Sequence, residues 1–121
     1  MRVLVDQNAP RGLRTHLPDH EVVLAREMGW ATLANGDLIA AAEAANFDVL
    51  VTADQNIQYQ QNLSGRRLAL VVLDTNRWDI IRTEIHLVQE ALRVAAAGTY
   101  ASVEFTRPPL RRRSRSPSDE C

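Results

Sequence analysis

Three apolar runs of strand length lead into aspartates: Arg2-Val3-Leu4-Val5 into Asp6, Val49-Leu50-Val51-Thr52 into Ala53-Asp54, and Leu68 to Leu73 into Asp74. A fourth acid, Asp37, follows Asn35-Gly36, a sequence that predicts the start of a helix. In an open parallel sheet, ligands bind beyond the carboxyl ends of the strands, so such acids are placed to share one crevice. Carboxylates ~5 Å apart repel by about 3 kcal/mol at an effective dielectric of about 20, and a cluster of them requires a cation or a proton. Oxygen donors without His or Cys favour Mg²⁺ or Mn²⁺. Such an ion orients a phosphodiester, lowers the pKa of an attacking water and stabilises charge on the scissile phosphate. A single aspartate after a strand is more often a turn or cap residue, and it is the recurrence that favours a shared site.

The elements that must position these acids alternate along the chain. Residues 2–5 read as a strand, Asn8-Ala9-Pro10 starts a short helix carrying Leu13 and Leu17, and Glu21-Val22-Val23-Leu24 reads as a second strand. Met28 to Leu33 has no clear period; Leu38 to Ala45 reads as a helix closed by Asn46, followed by the strand Val49–Thr52. Leu68–Leu73 is continuously apolar, as expected of a strand covered on both faces. From Asp79 to Ala97 the residues Ile81, Ile85, Val88, Leu92 and Ala95 recur at helical spacing, Gly98 suits the stop, and Tyr100–Phe105 completes an edge strand. This alternation predicts an α/β fold with a mostly parallel central sheet and helices on both faces.

Composition narrows the field. The 121 residues fit one domain, expected over residues 1–106, with an Arg-rich, flexible tail over 107–121. Residues 1–106 carry 9 Arg and 13 acids, whereas 107–121 carry 5 Arg and 2 acids. The tail could attract RNA phosphates or an acidic partner, although a solvated tail is the default expectation. The single cysteine, Cys121, forms no intramolecular disulfide, and one thiol with His16, His20 and His86 lacks zinc-ligand spacing. No apolar stretch nears the ~18 residues of a membrane span and no basic-then-apolar leader opens the sequence, so a cytoplasmic location is expected. All 14 basic residues are arginine. Without lysine, a receiver-type signalling domain and a P-loop enzyme are set aside, and G-x-G-x-x-G is also missing.

Three segments together carry a family resemblance: Met1 to Pro10 with Asp6, Gly29-Trp30 through Leu33 to Leu38 with Asp37, and Val49 to Asn56 with Tyr59 to Leu63. In this order and spacing, spanning residues 1 to about 95, the chain resembles the PIN-like proteins, a toxin-like group related to ribonuclease toxins. The resemblance implies a three-layer α/β/α fold and metal-dependent ribonuclease ancestry, with Asp6, Asp37 and Asp54 as catalytic, Mg²⁺- or Mn²⁺-binding residues. Asp37 stands where the family more often has glutamate, and Asn56 where many relatives have a second acid. The implied partners are RNA and an antitoxin protein, with a homodimer as the expected assembly. The alternative is a weak or inactive PIN-like module that binds RNA or protein.

Around these acids, Thr52 is placed to orient Asp54 and Asn8 to hold a ligand or water near Asp6, although both residue types also serve turns. Tyr59 offers a stacking ring for single-stranded RNA beside Gln60, Gln61 and Asn62, and an exposed polar helix fits these residues equally well. Trp30 and Trp78 are expected in the core, His20 and His86 in structural or solvent-facing positions. Asp74 is assigned to capping near the Asp79 helix, and Asn76 and Arg77 lie just beyond a strand end, where a phosphate contact is open.

Overall fold

Short runs of valine and leucine, bounded by polar turns, form the strands. The computed structural model describes residues 1–33, 35–54 and 66–106. Within them lie β1 (Arg2–Val5), β2 (Glu21–Leu24), β3 (Val49–Thr52), β4 (Ala69–Leu73) and β5 (Tyr100–Val103). All described pairings are parallel, in the order β2-β1-β3-β4-β5. Parallel neighbours need crossovers rather than hairpins. Here the connecting helices are α1 (Asn35–Ala44), α2 (Trp78–Ile81) and α3 (Ile85–Val94), with 3₁₀ turns at Arg11–His16, Ala25–Met28 and Arg82–Glu84. The α/β expectation holds, and each predicted strand is present. The connection from β3 to β4 falls largely outside the described residues, as do residues 107–121.

Alternation along the strands divides the apolar side chains between two clusters. Val3, Val5, Val49, Val51, Ala69, Val71 and Leu73 join Leu13, Leu17, Ile80, Ile81, Val88 and Leu92. Leu4, Leu50, Leu70 and Val72 join Leu38, Ile39 and Ala42 of α1. The central strands are therefore buried on both faces, which accounts for the unbroken apolar run of β4. Trp30 and Trp78 are half-buried against these clusters, with Trp30 edge-on to Phe47 and Trp78 edge-on to His16. Gly12 makes room for Trp78: a Cβ there would lie 2.8 Å from the indole.

Helix ends show where local chemistry overrides periodicity. Asn46 closes α1 as expected, in a left-handed conformation (φ 65°). The Asn46 N–H donates to Glu43 and the Phe47 N–H to Ala42, the paired bonds of a Schellman stop. The long helix predicted over 79–97 is shorter and interrupted. The Thr83 hydroxyl donates to the Ile80 carbonyl at 2.7 Å, and the chain tightens to 3₁₀ over Arg82–Glu84. α3 then ends at Val94, and Gly98 (φ 74°) serves a separate turn in which Thr99 bonds to Ala96.

Candidate functional site at the carboxyl edge of the sheet

Strand order dictates where a ligand can enter. The chain runs from β1 outward to β2, then crosses back to β3 on the other side of β1, so the order reverses between β1 and β3. At such a switch point the connections leave on opposite sides and open a crevice beyond the carboxyl ends. The register sets Val5 level with Val51, which places Asp6 and Asn8 of one loop beside Thr52, Ala53 and Asp54 of the other.

Thr52 joins the two loops. Its side chain is fully buried, and its hydroxyl lies 2.9 Å from Asp6 Oδ2 and 3.1 Å from Asn8 Oδ1. A hydroxyl has one proton, and the nearer, anionic carboxylate has the stronger claim to it. The same oxygen accepts the Asp54 N–H at 3.1 Å, and Asn8 Oδ1 accepts the Ala53 N–H at 3.1 Å. Thr52 thus fixes the Asp6 carboxylate and the Asp54 backbone. Asn8 acts as a staple between the loops. Asp6 Oδ1 also accepts the Gln7 N–H at 2.8 Å. A carboxylate has about four acceptor positions, so capacity remains on half-buried Asp6.

Asp37 sits in the first turn of α1, exposed, at the helix end that begins on the carboxyl side of the sheet. The bonds through Thr52 link Asp6 with Asp54 and do not extend to Asp37. Among the described residues, no group of three His, Cys, Asp or Glu side chains is arranged to hold a metal ion. Asn56 and Tyr59 lie outside the described residues. Arg77 holds the cap position of α2 with no side-chain cap bond. Asp74 Oδ1 accepts the Phe105 N–H at 3.4 Å, beyond the end of β5. Arg77 is engaged by Asp79 through two contacts, 3.2 and 2.7 Å, so the open phosphate contact expected there is an ion pair. That guanidinium holds the Asp79 carboxyl below its ordinary range.

Two residues were not singled out by sequence reasoning. Arg11 and Arg26 line a cleft of about 250 Å³ together with Asp6 and Gln7, over a floor that includes Val5 and Leu24. Arg26 comes two residues after β2, and Arg11 opens the 3₁₀ turn that follows β1. A second cleft, about 570 Å³, gathers His16, His20 and His86 near the start of β2, and none of the predicted site residues lines it.

Comparison with protein-family models, curated proteins and solved structures gave no match. No helix among the described residues is long and apolar enough to cross a membrane.

Proposed function

We propose that the chain is a PIN-like, metal-dependent ribonuclease, with the three-layer arrangement that family membership implies. The observation that carries this reading is the Thr52 hydroxyl holding Asp6 against the loop of Asp54 at the switch point of a parallel sheet. Two carboxylates there suit Mg²⁺ or Mn²⁺, since Mg²⁺ is commonly held by one or two carboxylates together with waters and substrate phosphates. Asp6 and Asp54 would hold the ion, with Asp37 approaching from α1. The bound ion would supply Lewis-acid stabilisation of the phosphodiester and activation of water. The chain's own contribution is preorganisation: Thr52 fixes the Asp6 carboxylate, and Asn8 sets the spacing of the two loops before substrate arrives.

The test is cleavage of single-stranded RNA by purified protein with Mg²⁺ or Mn²⁺, compared with Asp54→Asn. Metal-dependent cleavage that disappears in a folded Asp54→Asn variant supports the assignment. Equal cleavage by both proteins identifies a contaminating nuclease and removes it. In parallel, Mn²⁺ should raise the melting temperature by mass action, and this rise should vanish in the Asp6→Asn, Asp54→Asn double variant.

A second reading is favoured by the lack of a three-acid metal group among the described residues: a PIN-like module that binds RNA or protein without cutting. RNA binding without Mn²⁺-dependent cleavage selects it. Under either reading the proposal keeps RNA as ligand, an antitoxin as candidate partner, a homodimer as candidate assembly and the cytoplasm as location.

A further inference from the structure

We infer that the cleft between the carboxyl ends of β1 and β2 is a phosphate subsite, in which Arg11 and Arg26 hold a phosphodiester of single-stranded RNA beside Asp6. The inference rests on the ribonucleic-acid ligand proposed above and adds the residues that seat it. Two arginines, Arg11 and Arg26, line the cleft together with one acid, Asp6. That carboxylate is already drawn toward Thr52 and the Gln7 N–H. The neighbouring Arg14 is occupied by Glu27, which also accepts the Leu24 N–H. Among the described residues, neither Arg11 nor Arg26 forms an ion pair within 4.0 Å, and Arg26 shares the field of Glu27, which Arg14 already engages. Two cations lining one concavity repel each other, and an anion between them relieves that repulsion.

Size and shape point to a phosphate in particular. At about 250 Å³ the cleft falls below the range that encloses a drug-sized ligand, yet it accommodates a phosphate group with part of its sugar. Guanidinium groups offer planar, forked donors that match phosphate oxygens. The apolar floor of Val5 and Leu24 lowers the local dielectric beneath those charges. Adjacency to Asp6 means that a strand seated here passes the Thr52-linked acids, giving the two loops a common substrate path.

The experiment measures binding of a short labelled single-stranded RNA by fluorescence anisotropy, with EDTA present so that no cleavage intervenes. The full chain is compared with Arg11→Ala, Arg26→Ala and with Arg67→Gln, Arg93→Gln, a pair that removes the same charge at other clefts. The cleft pair should weaken binding by on the order of 10-fold and reduce the slope of log affinity against log salt by about 1.4, about 0.7 per lost phosphate contact on a single strand. Arg11 and Arg26 are exposed, and the Arg11→Gln, Arg26→Gln variant, which keeps side-chain bulk, should behave alike. Equal weakening by both pairs, or no RNA binding by the unmodified chain, overturns the subsite. Mn²⁺-dependent cleavage with an unchanged KM in the cleft variant also overturns it while leaving the nuclease assignment standing. Loss of RNA binding in the cleft variant, with no cleavage by the unmodified chain, upholds the subsite and sinks the nuclease.

Discussion

The Thr52 hydroxyl lies 2.9 Å from the Asp6 carboxylate although the two residues are 46 positions apart in the chain. This contact ties the ends of two adjacent parallel strands at the point where the sheet order reverses. Replacing Thr52 with Val keeps the shape and deletes the hydroxyl, leaving the Asp54 N–H without this acceptor and Asp6 without this donor. A loss of about 1–3 kcal/mol in urea-denaturation stability is expected, together with a smaller Mn²⁺-induced rise in melting temperature. Thr52→Ser should restore most of both. An unchanged stability in the Val variant would remove Thr52 from the site.

Asp37 is not part of the hydrogen bonds through Thr52 that link Asp6 with Asp54, so its carboxylate should be the least sensitive of the three. Asp37→Asn is expected to reduce Mn²⁺-dependent cleavage less than Asp6→Asn or Asp54→Asn. Asp37→Glu extends the carboxylate by one methylene and is expected to raise the rate at limiting Mn²⁺. Initial rates across a Mn²⁺ series would decide the matter; a Glu variant slower than the parent would refute it.

Glu43 gives the fold an acid-sensitive anchor. Burial pushes its carboxyl up, but the Leu68 N–H, the Arg66 guanidinium and the Arg67 N–H outweigh that and hold it below the ordinary range. A carboxyl depressed on folding stabilises the native state above its unfolded value, and that stabilisation disappears as pH falls through the folded value. Glu43→Gln should therefore lower stability at neutral pH by about 1–3 kcal/mol and flatten the acid side of a stability-against-pH profile. A parallel offset at every pH would show that charge plays no part.

Gly12 and Trp78 pack so closely that an added methyl cannot fit. Gly12→Ala should destabilise by about 1–3 kcal/mol through displacement of the indole. Adding Trp78→Phe to the Gly12→Ala variant should recover part of that loss, a coupling readable in a double-mutant cycle. Additive effects would mean the indole moves aside freely.

Much of this architecture was legible in the residues. The valine and leucine runs marked the central strands, because burial on both faces leaves an unbroken apolar signature. Asn46 announced the end of α1 because few other residues tolerate its backbone conformation. Less legible were features set by side-chain bonds to the backbone. The Thr83 hydroxyl tightens a helix that periodicity draws as continuous, and the Thr99 hydroxyl closes a turn onto Ala96 that separates Gly98 from the end of α3. At the site, strand-end position identified Asp6 and Asp54, while the Thr52 proton going to Asp6 depended on register between distant strands. Arg11 and Arg26 were passed over because a lone arginine after a turn has no distinctive spacing.

β1 is not an edge of the sheet: it has β2 on one side and β3 on the other. A growing chain that has emerged only through β2 owns half of the partners β1 requires, and parallel pairing over such separations is slow to form. Asp6 therefore acquires its hydroxyl neighbour only after the middle of the chain has joined the sheet. Whatever the acids do, a fragment ending before Val49 cannot do it.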